Sequence, residues 1–173
     1  MKFTFFVYYF YCLHKLIMVI DIMNKTKIKR LIIAFLSVAA VVLFGMIFTK
    51  GTYDFYDTLV KPELAPKAIV FPIAWSIIYF LLALTLYFCF ENKKIVFFLM
   101  LNLVINVIWP ILFFKFELLL VSIYWLILLI LSLIHLLYLL YKENKKLVYL
   151  NLPYMFWCFF ALYLNILIYL INR

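Results

Sequence analysis

Five long apolar segments, separated by short charged stretches, run through this sequence of 173 residues. Each segment reaches or exceeds the roughly 18 residues that a helix needs to cross the hydrocarbon core of a bilayer. The predicted spans are Leu31–Phe48, Ala68–Phe90, Ile95–Phe114, Leu118–Tyr141 and Leu147–Ile171. Because lipid offers the backbone no hydrogen-bond partners, continuous apolar runs of this length fold as helices. The sequence therefore predicts an all-α membrane protein, a bundle of five transmembrane helices with an extra apolar segment before it.

Composition and charge agree with this fold class. Hydrophobic residues make up 71% of the chain, whereas a soluble domain is about half apolar. A transmembrane β-barrel would show shorter segments in which apolar and polar residues alternate, and these runs are continuously apolar. The net charge of +9 comes from lysines that flank the spans, which indicates a bilayer and not nucleic acid as the partner.

Basic residues are distributed unequally between the two sides of the predicted bundle. With the start of the first span inside, nine lysines and arginines lie inside and five lie outside. Because basic residues favour the cytoplasmic side, we expect a bacterial cytoplasmic membrane with the start of the first span inside and the C-terminus outside. The one long connection, Lys50–Lys67, then lies outside.

The start of the chain has an ambiguous pattern. Phe3–Ile20 is apolar but interrupted by polar residues, which fits a signal peptide, an extra span or an interfacial helix. A small-residue cleavage site is missing, which argues against a signal peptide. Translation from Met23, or a loosely attached helix, is favoured over a sixth span, and residues 1–22 then need not belong to the mature protein. We therefore divide the chain into an N-terminal extension, 1–30, and a transmembrane domain, 31–173.

The predicted spans lack the residues of several function classes. They contain no aspartate or glutamate, the usual marks of proton or cation coupling, which argues against a pump. No glycine-rich phosphate loop and no serine–histidine–carboxylate set can be assembled. His135 has no partner at metal-ligand spacing and is interpreted as a hydrogen-bonded helix residue. Cys12, Cys89 and Cys158 are interpreted as small buried hydrophobes. We expect no metal, no catalytic residue and no required cofactor.

The third span carries an unusual polar face. Asn102, Asn106, Trp109 and Phe113 are spaced by four, three and four residues, which places them on one side of a helix. Two amides in hydrocarbon are costly without partners, so this face should point into the bundle. Pro110 has no N–H to donate and should leave the Asn106 carbonyl unpaired. The alternative is that the asparagines only bridge helices.

Tryptophans on other spans approach the same region. Trp75 and Tyr79 share a face of the second span, and Trp75 and Trp109 lie near the same membrane boundary because their spans run in opposite directions. Trp157, on the fifth span, lies deeper. Trp125 is interpreted as a boundary anchor or a packing residue. Indoles, a tyrosine and amides around one outer cavity would suit a flat, largely apolar ligand with a few polar edges.

These residues resemble those of a known family. The stretch Phe55–Pro62 resembles the aromatic-Tyr-x-x-Leu-x-Lys-Pro signature of the translocator protein family, the tryptophan-rich sensory proteins or TspO/MBR family. Asn106-x-x-Trp109 and Pro153-Tyr154-x-x-Trp157 match two further blocks. The blocks occur in the family order over residues 31–173. The chain departs from the family at Leu64, where tryptophan is usual, and at Ala83, where glycine is usual.

The resemblance implies a five-helix bundle, paired as a homodimer in many members, that binds tetrapyrroles such as porphyrin or heme beneath the first loop. The function implied is that of a sensor, carrier or scavenger of such ligands. The candidate ligand-binding residues are Tyr56, Trp75, Tyr79, Asn106, Trp109, Phe113, Trp157, Ala161 and Leu164, and the loop signature is Lys61, Pro62 and Pro66. One alternative is light-dependent degradation of porphyrin at Trp75 and Trp157. Another is an accessory structural bundle that acts through a partner protein.

Overall fold

The computed structural model describes residues 25–52, 54–67 and 69–173. The predictions for residues 1–22, for Met23 and for Cys12 lie outside the described residues. The chain divides into two compact units, Met1–Ile33 and Ala34–Arg173. In the first unit the described residues, 25–33, are helical. The cavity and contacts discussed below belong to the second unit.

Helices account for most of the described chain. They are α1 (Lys25–Thr49), α2 (Asp54–Thr58), α3 (Val70–Phe88), α4 (Lys93–Pro110, continued by a π-helical turn at Ile111–Lys115), α5 (Leu119–Glu143) and α6 (Lys145–Asn172). Except for the short α2, each is long and apolar enough to cross a membrane. The prediction of an all-α membrane protein with five spans is therefore confirmed. The largest difference is at α1, which starts six residues before Leu31 because lysine and arginine readily continue a helix.

Asparagines cap the short connections between antiparallel helices. The Asn92 side chain accepts a hydrogen bond from Ile95 N at 3.2 Å, and that of Asn144 accepts one from Lys146 N at 3.0 Å. Each pairs one of the amide groups that a helix start leaves without an intrahelical partner. Asn92 also donates to Glu143 Oε2 at 2.8 Å. The two turns that join α3 to α4 and α5 to α6 are thereby tied together at the end of the bundle opposite the long loop.

Leucines of α5 form the apolar centre of the bundle. Leu126, Leu129, Leu133 and Leu136 have no exposed surface. Buried polar pairs join the helices around them: Asn165 on α6 donates to Ser122 Oγ at 2.8 Å, and Asn151 donates to Thr85 Oγ1 at 2.8 Å. Such bonds are a usual means of holding helices together in lipid, where apolar burial gives little drive for association.

Helix α1 meets α4 at a glycine. Gly45 is buried, and a β-carbon built on it would overlap the Val107 side chain. Because a valine side chain in a helix is held in one rotamer, it has little freedom to move aside. The close approach of α1 to α4 therefore depends on the missing side chain at position 45.

A π-helical turn follows Pro110. Phe116 N donates to Ile111 O, five residues earlier, at 3.1 Å. The rings of Phe113 and Phe114, consecutive residues in this turn, both contact Tyr56, at centroid distances of 6.5 and 6.2 Å. The π turn thus gives the loop an aromatic surface to dock against.

Candidate ligand cavity

A cavity of about 490 Å³ lies at the loop end of the bundle. Its walls are Val42, Gly45, Met46 and Thr49 on α1, Tyr56 and Asp57 on α2, Phe71, Pro72, Trp75, Ser76 and Tyr79 on α3, and Asn106, Val107, Trp109, Pro110 and Phe114 on α4. The volume falls within the range of about 300–1,000 Å³ that is typical of small-molecule sites. Most of the wall is apolar or aromatic, with a few polar groups.

Tyr56 forms the roof of this cavity. Its side chain, in the short loop helix α2, is only 9% exposed and meets the Phe71 ring edge to face at 5.9 Å. The Lys61 ammonium lies 4.8 Å from the centre of the tyrosine ring, a cation–π distance. Burial, with a smaller effect of the Asp57 carboxylate, raises the pKa of the Tyr56 phenol. Its hydroxyl has no hydrogen-bond partner among the described residues.

Two of the three candidate indoles line the cavity. Trp75 stacks on Tyr79 with ring centroids 5.6 Å apart and an interplanar angle of 23°, and Trp109 forms part of the wall on α4. Trp157 does not line the cavity; its ring meets Trp75 edge to face at 6.3 Å and Phe71 at 5.9 Å. The structure therefore brings two of the three indoles into the wall of this cavity, and Trp157, on α6, contacts two residues of that wall, Phe71 and Trp75.

Ala161, Leu164 and Phe113 also lie off the main cavity. They line a separate void of about 20 Å³, together with Tyr56 and Trp109. A space of that size holds about one water molecule. These three residues therefore line the small void next to Tyr56 and Trp109 and are not part of the wall of the larger cavity.

A chain of hydrogen bonds leads from the cavity wall into the bundle. Tyr79 OH donates to Asn106 Oδ1 at 3.0 Å, Asn106 Nδ2 to Tyr154 OH at 3.0 Å, and Tyr154 OH to Asn102 Oδ1 at 3.0 Å. Asn102 Nδ2 then donates to Ser132 Oγ at 2.7 Å. Both asparagines are buried, as their cost in lipid predicts, but only Asn106 lines the cavity.

Tyr154 was missed as a site residue. It has no exposed surface and connects the two asparagines. The available signals were its place in the Pro153-Tyr154-x-x-Trp157 block and its spacing of three residues from Trp157, which places both on one side of α6. A tyrosine in an apolar span more often indicates packing, so the signal alone did not single it out.

The long loop is attached to the end of α6. Val60 N donates to Asn172 Oδ1 at 2.9 Å, and Asn172 Nδ2 donates to Val60 O at 2.9 Å and to Ile168 O at 2.8 Å. Sequence reasoning missed Asn172. Of the loop-signature residues, Lys61 lies over the Tyr56 ring. Pro62 begins a turn in which its carbonyl accepts a hydrogen bond from Ala65 N at 2.9 Å.

Other singled-out residues serve packing or face outward. Neither Pro62 nor Pro66 lines the cavity, and Leu64 is 66% exposed. Trp125 packs between helices and donates through Nε1 to Ile105 O at 2.8 Å. His135 is exposed on α5 with its ring 4.5 Å from Phe98, so the predicted hydrogen bond is replaced by a ring contact.

Cysteines and metal-ligand side chains form no candidate site in the described part of the chain. Cys89 and Cys158 are free and buried, as expected for small hydrophobes. Burial, with a smaller effect of Glu143, raises the pKa of the Cys89 thiol to about 11, so it is not a reactive thiolate. No group of three or more His, Cys, Asp or Glu side chains in residues 25–52, 54–67 and 69–173 could hold a metal ion.

Fold and cavity together define an integral membrane protein of five spanning helices with an aromatic chamber beneath its one long loop. The sequence model of the TspO/MBR family matches residues 32–170. The chain belongs to the TspO/MBR family, as the loop and tryptophan motifs predicted. It is also 34% identical over 154 residues to a protein of Archaeoglobus fulgidus named tryptophan-rich protein TspO, an alignment that covers 84% of this chain and 99% of the relative.

Proposed function

We propose that this membrane protein binds tetrapyrroles such as porphyrin or heme, or similar flat apolar ligands, as a sensor, carrier or scavenger. The observation that carries the proposal is the 490 Å³ cavity with Trp75 and Trp109 in its walls. Indole rings offer flat apolar surfaces on which an extended aromatic ligand can stack. Membership of the TspO/MBR family supports the same ligand class.

Polar groups at the roof support a ligand with acceptor groups at its edge. Tyr56 OH and Trp109 Nε1 are buried without a hydrogen-bond partner among the described residues. An unpaired buried donor costs about 1–3 kcal/mol, and a ligand carboxylate or carbonyl within reach would remove that cost. The Lys61 ammonium above the Tyr56 ring adds positive charge at the same end. A porphyrin with ionised carboxylates near the roof would meet both requirements.

The experiment is a titration of the purified protein with protoporphyrin, followed by the shift of the porphyrin absorption band. This signal comes from the porphyrin, so it can be compared directly between variants that lack different tryptophans. Trp75→Phe and Trp109→Phe should weaken binding about threefold or more, since each removes stacking area from the ligand. Trp125→Phe is the matched control because Trp125 lies outside the cavity wall, and it should leave the affinity unchanged. Binding that does not saturate, or that is equal in all three variants, would contradict the proposal.

A second candidate is light-dependent degradation of porphyrin, favoured by the contact between Trp75 and Trp157. That contact places a second oxidisable indole directly behind the one in the wall, and dioxygen would be the oxidant. The illuminated complex should give a new absorbing product that the dark complex and the illuminated Trp157→Phe variant do not give. Bleaching at the rate of free porphyrin in the same detergent would exclude this activity.

We also propose an orientation with the start of α1 in the cytoplasm and the long loop outside. The nine-to-five distribution of basic residues supports it, as basic residues favour the cytoplasmic side. A reporter fused after Arg173 should be active on the outside only. Activity in the cytoplasm would reverse the assignment.

A further inference from the structure

We infer that the end of the bundle opposite the long loop carries a binding site for the headgroup of an anionic phospholipid. The site is a basic patch of five exposed lysines and two exposed tyrosines: Lys93 and Lys94 on α4, Tyr138, Tyr141 and Lys142 on α5, and Lys145 and Lys146 on α6. None of these residues lines the ligand cavity, so the inference does not depend on what the cavity binds. It assigns a lipid class to particular side chains, which the overall charge of the chain does not do.

The two turns at this end of the bundle form one surface. Asn92, in the turn between α3 and α4, donates through Nδ2 to Oε2 of Glu143, at the end of α5, at 2.8 Å. Lysines follow the first turn directly and stand on both sides of the second. The hydrogen bond therefore brings lysines of three helices to the same end of the bundle.

Positive charge exceeds negative charge on this surface. The two turns and the helix ends beside them carry five lysines but only two acidic residues, Glu91 and Glu143, so an excess of three positive charges remains after each carboxylate is matched with a lysine. Like charges that are gathered on one surface repel one another. An anion placed among the lysines would remove this repulsion.

Two tyrosine rings hold lysine ammonium groups at the edge of the membrane. The Lys142 ammonium lies 4.5 Å from the centre of the Tyr138 ring, and the Lys145 ammonium lies 5.1 Å from that of Tyr141, both cation–π distances. The tyrosines are 53% and 54% exposed on the last turns of a spanning helix. Tyrosine at such a position is typical of the boundary between hydrocarbon and headgroups, so the two ammonium groups lie at the level of lipid phosphates.

An apolar strip continues from the basic patch toward the middle of the membrane. Leu131 and Ile134 are 58% and 48% exposed on α5, and they precede Tyr138 by seven and four residues, which places all three on one face of the helix. The acyl chains of a lipid whose phosphate meets Lys142 would lie along this strip. A soluble anion would use the lysines alone. Clusters of about four to eight basic residues beside spanning helices are typical of sites for acidic lipids, so lysines and strip together favour a phospholipid.

The test measures lipid binding to the purified full-length protein in detergent by native mass spectrometry, which resolves each bound lipid by its mass. The probes are phosphatidylglycerol and phosphatidylcholine with identical acyl chains, so they differ in the headgroup alone. Phosphatidylglycerol should bind at least about tenfold more tightly, since a lysine near an anionic lipid surface contributes about a fivefold gain.

Two matched double variants locate the site. Lys142→Gln/Lys145→Gln should reduce the preference for phosphatidylglycerol to about threefold or less, because it removes the two ammonium groups at headgroup level. Lys50→Gln/Lys67→Gln removes the same charge from two exposed lysines at the loop end and should keep the preference. All four positions are exposed, so both variants should unfold at the same temperature as the native protein.

Inorganic phosphate separates a lipid site from a site for free anions. An excess of it should not displace phosphatidylglycerol, because phosphate has no acyl chains to pack against Leu131 and Ile134. Displacement by phosphate would overturn the inference in favour of a soluble anion. Equal affinity for the two lipids would overturn it as well, and so would an equal loss of preference in the two double variants, which would reflect the total charge of the protein and not this patch.

Discussion

The indole of Trp157 meets that of Trp75 edge to face, with centroids 6.3 Å apart and planes at 88°. Trp75, on α3, belongs to the cavity wall, and Trp157 lies behind it on the neighbouring helix α6. Trp157 should therefore affect a bound ligand indirectly, by holding the Trp75 ring in place. The two residues should therefore differ in three respects: contact with the ligand, support of the cavity wall and contribution to stability.

Truncation of Trp157 should therefore destabilise the bundle and disturb the wall. We expect Trp157→Ala to lower the free energy of unfolding by about 2 kcal/mol, below the range for fully buried tryptophans because Trp157 is only half-buried. Protoporphyrin affinity should fall by less than in Trp75→Ala. Thermal unfolding in detergent measures the first effect. Phe156→Ala is the matched control, since that neighbouring ring is 70% exposed, and it should change little; equal losses in the two variants would contradict this account.

Gly45 should tolerate no side chain while Val107 is present. Gly45→Ala introduces a β-carbon that overlaps Val107 and should cost about 1–3 kcal/mol of stability, the range for overpacking. The double variant Gly45→Ala/Val107→Ala makes room for the new carbon and should recover part of that loss. Chemical denaturation of the two single variants and the double variant measures the coupling. Simple additivity would show that α1 and α4 do not meet at this position.

Asn172 should hold the loop over the cavity. Asn172→Leu removes both hydrogen bonds to Val60, each worth about 1 kcal/mol, and leaves the apolar shape. Hydrogen exchange at the Val60 amide should become faster, and bound protoporphyrin should dissociate faster because the roof opens more often. Arg173→Ala, one residue further on, serves as the control. Unchanged exchange at Val60 in Asn172→Leu would mean that the loop is held elsewhere.

Ionisation of the Tyr56 phenol should lower the stability of the protein at alkaline pH. Burial raises the pKa of this phenol, so the folded state keeps the proton at pH values where the unfolded state, with a pKa of about 10, has lost it. The stability that this pKa difference contributes is therefore fully present below pH 10 and is lost as pH rises through the folded-state pKa of Tyr56. The stability of the native protein minus that of Tyr56→Phe, measured from pH 8 to 11, should fall as pH rises, because only the native protein has this phenol to ionise. A difference independent of pH would contradict the assignment.

The fold followed from the sequence because long apolar runs allow few structures in lipid, and the inward direction of Asn102 and Asn106 followed from the cost of an unpaired amide. The position of Trp157 did not follow, since helix periodicity gives a face but not which neighbouring residues lie between that face and a cavity. The pairing of Val60 with Asn172 joins residues 112 positions apart, which no local pattern encodes. Pro110 indicated a break in the hydrogen bonding of α4, but not that a π turn would follow it or that two phenylalanines of that turn would contact Tyr56.

Our main proposal is that a flat ligand occupies the chamber lined by Trp75, Trp109 and Tyr56. An experimental structure of the protein with bound protoporphyrin tests it most directly. We expect the macrocycle inside the cavity, against the Trp75 ring. A macrocycle bound on the lipid-facing surface of the bundle, with the cavity unchanged, would contradict it.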